Sequence, residues 1–438
     1  MIELILFGTF FVLLLIGVPV AFALGCAAIA ALLFTDGLQV LDVVPSIMYP
    51  SLSSSTLLAI PFFVLAGGIM QSTGISRRLV DFAYMIFGRF SHGMAAVTII
   101  AAFFFSAISG SGPATVAAIG AILIPALVRD GYRPGHANAL VASSGSMGIV
   151  VPPSIAFIIF AVVASEYEKI SIARLFIAGI IPGVMMAVAF FVAAVFLPRV
   201  RDAVRAGLNP DGSRATGKEI SVAFVKAIPG LLIPVIILGG IYSGIFTPTE
   251  AGAVASVYAL LVGTLVYRDL GFKDLGRVFL DTGIGTATIM FIVGAASIFT
   301  YVITVEGVAD RISTTILGVT DNRFLVLLGA TVILLLIGAF VDAISAFYVM
   351  VPILVPALLA VGVDMTTIGV FMTVNLAIGL FTPPVGLNLF VASAIGRSRI
   401  EETIRGVMPF LIASIAALLL ITYIPWFSNF LPDLLGVN

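Results

Sequence analysis

The amino-acid sequence predicts an all-α polytopic membrane protein made of two inverted repeats, and three observations carry that expectation. Of the 438 residues, 61% are hydrophobic and only 10% charged, with a mean hydropathy of +1.23; soluble domains carry about a quarter charged residues. A pattern of prolines, glycines and alanines in the first half recurs 231 positions later without a gap. Pro125, Ala126, Leu127, Gly131, Gly148, Pro152, Pro153 and Ala161 return as Pro356, Ala357, Leu358, Gly362, Gly379, Pro383, Pro384 and Ala392. Lysine and arginine also segregate. With five spans and one re-entrant hairpin per half, seventeen of them fall on one side and only Lys169, Arg174, Arg311 and Arg323 on the other, and short cytoplasmic loops are where the excess belongs. An odd number of spans per half makes the second half enter from the opposite face, so the repeats are inverted.

In chain order, residues 1–198 form the first repeat, 199–226 a cytoplasmic linker and 227–438 the second repeat. Met1 to Phe34 is too long and too poor in basic residues for a cleavable signal. As one helix, 2–34 would be about 50 Å long, longer than a bilayer core. Gly17-Val18-Pro19 therefore breaks it into 2–17 and 19–34, as Thr247-Pro248-Thr249-Glu250 breaks the second half. Further spans are expected at 55–75 and 172–197, and at 227–246, 249–267, 283–303 and 406–428. Residues 93–129 and 324–361 bend at small or polar residues into limbs too short to cross, which predicts re-entrant hairpins. Residues 136–164 and 367–394 carry the proline pairs and read as broken helices. The charged segments 79–90 and 308–320 suit helices lying along the interface, and Tyr423, Pro425 and Trp426 suit an interfacial anchor. The linker, with Asn209-Pro210-Asp211-Gly212, reads as a solvated loop.

Composition also excludes functions. The net charge is −1 and no basic run carries interleaved aromatics, so nucleic acid is not an expected partner. Cys26 is the sole cysteine, and His92 and His136 lack companions at metal-ligand spacing, which leaves no disulfide or thiolate metal site.

The chemistry concentrates at the bends. Unwound backbone at membrane depth must line a cavity, and interruptions at matching places in two halves point to a transporter's binding site. The first tip, Ser109-Gly110-Ser111-Gly112-Pro113-Ala114-Thr115, offers carbonyls and hydroxyls able to replace water around a hard cation, alongside Ser143-Ser144-Gly145-Ser146 and Val151-Pro152-Pro153-Ser154. The plainer role of these residues is close packing and helix capping. The second half holds the counterpart in Gly338, Asp342, Ser345, Asn375, Gly379, Thr382-Pro383-Pro384 and Asn388. The prolines remove amide donors and free upstream carbonyls for a cation, while half-helix N-termini beyond the breaks suit a carboxylate. Asp342 has two open readings, an N-cap for the second limb and a part of a cation site. Glu250 reads as a helix cap.

At these residues the chain resembles the large membrane subunit, of the DctM or SiaM type, of a tripartite ATP-independent periplasmic (TRAP) transporter. The likeness covers essentially the whole chain. It rests on Gly110 to Thr115, Gly131-Tyr132, Pro152-Pro153-Ser154, Thr247 to Ala251 and Thr382 to Gly386 in order and spacing. The resemblance implies a bacterial inner-membrane, sodium-driven importer of an organic acid anion such as a C4-dicarboxylate or sialic acid. It implies no cofactor and an elevator-type motion of hairpins and broken helices against a scaffold. The implied partners are a small membrane subunit of the DctQ or SiaQ type and a periplasmic substrate-binding protein of the DctP or SiaP type. Carried over by position, one sodium sits among Ser109, Gly110, Ser111, Gly148 and Val151, and a second among Gly338, Asp342, Ser345, Gly379 and Thr382. Thr115, Ser143, Ser146, Ser154, Asn375 and Asn388 are the expected substrate contacts. Where related dicarboxylate carriers use asparagine at the first tip this chain has glycine, which favours backbone carbonyls. The chain starts at the large-subunit pattern, so the small subunit is expected to be a separate polypeptide. A self-sufficient sodium or proton symporter of the same superfamily is the nearest competing reading. The permease of an ATP-driven importer and an intramembrane enzyme stand further off: the chain has no phosphate-binding loop and no His-Glu-x-x-His.

Overall fold

The computed structural model describes residues 1–88, 90, 92–198 and 216–437, and among these every regular element is helical. The opening run divides into α1 (Ile2–Leu15) and α2 (Val20–Asp36) at Gly17, with a φ of +86°, and Pro19. A left-handed residue interrupts the hydrogen-bond ladder and proline has no amide to restart it. An element not expected from sequence follows, α3 (Val43–Leu52), whose Pro45 and Pro50 concealed it. Then come α4 (Ala59–Ser72) and α5 (Ile75–Phe87), the latter burying Ile75, Leu79, Val80 and Ala83 in one stripe, the signature of an amphipathic helix.

The first hairpin is α6 (Gly93–Ser109) and α7 (Gly112–Arg129), which turn at Gly110 in the left-handed region, φ +60°. The first broken helix is α8 (Pro134–Gly145), a 3-10 turn at Ser146–Ile149, and α9 (Ile155–Ala164). A long helix, α10 (Ile172–Val195), closes the half.

The second half opens with α11 (Gly217–Tyr242), which starts before the expected 227. Thr216 and Glu219 form a capping box, the Thr216 amide donating to Glu219 Oε2 at 2.6 Å, and so residues 217–226 are helix and not linker. Residues 199–215, with Arg199, Arg201, Arg205 and Arg214 of the charge count, lie outside the described residues, as does Arg89. Helix α12 (Pro248–Leu261) begins at the expected break: Glu250 Oε2 accepts from the Thr247 amide and hydroxyl, each at 2.8 Å. Next is α13 (Phe272–Val305), 34 residues long, roughly 50 Å. The span expected from 283 thus begins about three turns earlier.

There follow α14 (Val308–Val319), the second hairpin α15 (Arg323–Gly338) and α16 (Ala343–Ala360), and the second broken helix α17 (Met365–Gly379) and α18 (Leu387–Gly396). The chain continues in α19 (Ile400–Tyr423) and α20 (Trp426–Leu434). The order hairpin, broken helix, long helix thus repeats in the second half, and α7 and α16 start and stop in the same 231-residue register.

The hairpins and broken helices form the centre. Every residue of α17 is buried, as befits a helix apolar all round. Helix α8 packs on α7, α18 and α19, α10 crosses α17 and α19, and α16 lies against α9. Around them α1 to α4, α12 and α13 pack mainly on one another and α11 on α5 and α12, with α4 touching α6 and α13 touching α16. Leu4, Val235, Val257, Leu265, Ile284 and Leu336 are exposed, an apolar outer surface suited to a bilayer. Among the described residues eight helices are long and apolar enough to cross a bilayer. The protein is an all-helical, multi-pass membrane protein.

Candidate functional site

At the first tip the chain folds onto itself through hydroxyls. Ser109 Oγ lies 2.8 Å from Thr115 Oγ1, and Thr115 Oγ1 donates to the Ser111 carbonyl at 2.8 Å. The tip then rests on the first break. A Cβ added to Gly148 would lie 2.5 Å from the Ser111 carbonyl oxygen, and one added to Gly110 would lie 3.4 Å from that of Pro153. The approach at Gly148 leaves no room for a Cβ, and at Gly110 the positive φ favours glycine. Pro152 and Pro153 remove the amides that would have paired with the Gly148 and Ile149 carbonyls. Ser154 Oγ donates to Ile149 O at 2.6 Å, and the Val151 amide to Met147 O at 2.8 Å. Ser109, Gly110, Ser111 and Gly148 are therefore brought together, with Val151 on the far side of the same turn.

The second tip repeats the contact with different chemistry. A Cβ on Gly379 would lie 2.5 Å from the Gly338 carbonyl carbon. Asp342 caps α16: Oδ2 accepts from the Ile344 and Ser345 amides at 3.0 and 3.2 Å, and Oδ1 from the Ser345 hydroxyl at 2.6 Å. Of its two readings, the capping role is present in the geometry. Thr382 Oγ1 donates to Ile378 O at 2.7 Å, and the Gly386 amide donates back to Ala339 O at 3.2 Å, tying break to tip.

Both tips and both breaks meet at one cleft of about 430 Å³. One wall is Ser109 to Ala114, Ile155, Ala156, Asp342 to Ile344, Leu380 and Leu387; the other is Gly67, Gly68, Gln71 and Ser72 of α4 with Val278, Asp281, Thr282 and Gly285 of α13. The two walls touch: a Cβ on Gly67 would lie 3.3 Å from Ser109 Cα, and Gln71 Nε2 reaches Ala114 O at 3.5 Å. The helix ends facing the cleft differ. Asp342 occupies the amides of α16, whereas α7 starts at Gly112 with no side-chain cap. Pro113 has no amide, so the Gly112 and Ala114 amides are the first-turn donors that carry the partial positive charge suited to an anion.

The residues expected to contact substrate are not on the surface of this cleft. Thr115, Ser143, Ser146, Ser154, Asn375 and Asn388 are fully buried and none lines the cleft. Ser143 and Ser146 donate to the carbonyls of Ala139 and Ser143 on their own helix, at 2.8 and 2.7 Å. Asn375 Nδ2 donates to Phe371 O, and Asn388 Nδ2 donates across the repeats to Ala142 O, each at 3.0 Å. These side chains brace the wall from behind. Sequence reasoning takes hydroxyls near a break as ligands, without knowing which way each helix turns. It does not single out Asp281, Thr282, Gln71 and Ser72, which line the opposite wall. Asp281 falls in an expected loop, although the run from Phe272 through Val305 contains no proline, a signal for one long helix.

Comparison with known proteins places this geometry. The profile of the family described as "Tripartite ATP-independent periplasmic transporter, DctM component" matches residues 7–427. The isethionate TRAP transporter permease protein DctMQ of Oleidesulfovibrio alaskensis is 40% identical over 96% of this chain, which spans 65% of that relative's length. The C4-dicarboxylate TRAP transporter large permease protein DctM of Pseudomonas aeruginosa is 40% identical over 87% of each chain. Among solved structures, the YdaH transporter of Alcanivorax borkumensis, described as having an unusual topology, aligns with a TM-score of 0.67 at 16% identity. That alignment covers 98% of this chain and 99% of the other, which supports the fold alone. These relatives by sequence are transporter permeases and not enzymes. The chain belongs to the tripartite ATP-independent periplasmic transporter family, as a DctM-type large permease of the inner membrane.

Proposed function

We propose that this chain imports an organic acid anion, driven by an inward sodium gradient, with a small membrane subunit and a periplasmic binding protein as partners. The observation that carries the reading is the single cleft on which both hairpin tips and both helix breaks converge. Sodium is a cargo here. Backbone carbonyls freed at Pro152-Pro153 and Pro383-Pro384, with the Ser109 and Ser111 group on one side and the Asp342 and Ser345 group on the other, supply oxygens of the kind a hard cation needs. The anion's acid group faces the uncapped start of α7. Transport proceeds by an elevator motion: α6 to α10 and α15 to α19 carry the cleft's inner wall past α4 and α13. The relatives named for isethionate and for C4-dicarboxylates support a small organic acid with one or two negative charges as cargo. The fused name DctMQ of the longer relative supports a small-subunit partner.

The test is uptake into proteoliposomes holding this chain, its small subunit and the binding protein. Uptake is expected to rise with an inward sodium gradient and to need the binding protein. Uptake indifferent to sodium would overturn the coupling, and sodium-driven uptake without binding protein would favour a self-sufficient symporter.

A further inference from the structure

The cleft's charge is lopsided. Among the described residues lining it there are two carboxylates, Asp342 and Asp281, and no lysine or arginine. Asp342 already accepts three capping hydrogen bonds. Asp281 is different: it is exposed on α13, forms no ion pair or hydrogen bond among the described residues, and stands on the wall opposite the α7 start. Arg277, one turn earlier on α13, is not paired with it and does not line the cleft. Gln71, Ser72 and Thr282 flank it with further hydrogen-bonding groups.

A ligand bound between these walls therefore meets one end that attracts an anion and one that presents a carboxylate. An ionised carboxylate only accepts hydrogen bonds, and it repels a second negative charge brought near it in a partly desolvated space. A hydroxyl satisfies it. We infer that the cleft selects hydroxylated monoanions over dianions, with Asp281 as the specificity-determining residue that accepts a hydrogen bond from the ligand's hydroxyl. The inference rests on the proposed anion-transport reading and narrows its substrate class.

The test measures sodium-dependent ligand binding to the full chain with its small subunit in nanodiscs, which removes any selection made by the binding protein. The probes are isethionate and gluconate, which are hydroxylated monoanions, ethanesulfonate, which lacks the hydroxyl, and succinate, a dianion. Isethionate is expected to bind more tightly than ethanesulfonate by roughly tenfold or more, the value of one hydrogen bond to a charged group, and more tightly than succinate. Asp281→Ala is expected to abolish the gap between isethionate and ethanesulfonate. Asp281→Asn is expected to raise succinate affinity by roughly tenfold through lost repulsion. A wild-type protein that binds succinate at least as tightly as isethionate and gluconate overturns the inference, and so do variants with unchanged ratios. Sodium-dependent binding in the wrong order leaves the transporter reading standing, whereas no sodium-dependent binding of any probe, with uptake indifferent to sodium, removes both. The wild-type ranking decides the question even if a variant folds poorly.

Discussion

Gly148 and Gly379 hold equivalent positions, and each abuts the backbone of its hairpin tip at a distance where a methyl group would meet atoms 2.5 Å away. Alanine at either position must push tip and break apart. Gly148→Ala and Gly379→Ala are each expected to destabilise by about 1–3 kcal/mol, read as a lower midpoint in thermal unfolding, and to weaken sodium activation of uptake more than a distant change of equal stability cost. Asp342 separates two roles by chemistry. Asp342→Ala removes a cap worth about 1 kcal/mol, while Asp342→Asn keeps an acceptor for the Ile344 and Ser345 amides but loses the charge. A cation-site role predicts that the Asp342→Asn protein melts near wild type yet needs more sodium for half-maximal uptake; an unchanged sodium titration in that variant assigns Asp342 to capping alone.

Among the elements, α20 is held by Arg174 and by its own Asn429, which donates to Asp364 at 3.2 Å and to Thr367 at 3.0 Å. Arg174, at the start of α10, donates to Asp433 at 2.7 Å, Asn429 at 3.2 Å, the Val437 carbonyl at 2.6 Å and Thr366 at 2.8 Å. It thereby joins α20 to α17. The ion pair alone is half-exposed and contributes little, but the hydrogen bonds together make Arg174→Ala expected to cost about 1–3 kcal/mol and to expose the α19–α20 junction to limited proteolysis. A cleavage rate equal to wild type would argue against the clamp. Arg78 does similar work for α5, pairing with Asp269 at 2.7 Å and covering the Tyr267 ring at 3.8 Å. At this scale the sequence was readable where punctuation was strong. Gly17-Val18-Pro19, Gly110 and Thr247 to Glu250 mark breaks whose physics is local. It was unreadable where tertiary packing decides: α3 forms despite two prolines, and α13 extends into polar residues that a hydropathy window discards.

For the whole molecule, the elevator reading makes a geometric demand, since the two walls of the cleft must separate during each cycle. Cys26 is the only cysteine, so Cys26→Ser gives a clean background. Gln71→Cys with Ala114→Cys, placed where the Gln71 side chain reaches from α4 to the Ala114 carbonyl of the first tip at 3.5 Å, is expected to halt uptake when joined by a reducible bifunctional thiol reagent and to recover it on cleavage of the linker. Full uptake by the bridged protein would rule out relative movement of these walls. The repeat, the hairpins and the breaks were legible in the sequence because proline, glycine and charge encode them directly. The cleft's second wall was not, because which face of α4 and α13 turns inward depends on contacts between segments roughly 200 residues apart. The shared register of α7 and α16, each 18 residues long, has a consequence for how the chain tolerates change in length. One inserted residue turns everything beyond it by about 100° and advances it about 1.5 Å, which moves one anchor of the limb off its partner while the other stays fixed. Insertions and deletions in these limbs are therefore expected to be lethal to transport even where substitutions at the same positions are accepted, so that descendants of this fold vary in composition here but not in count.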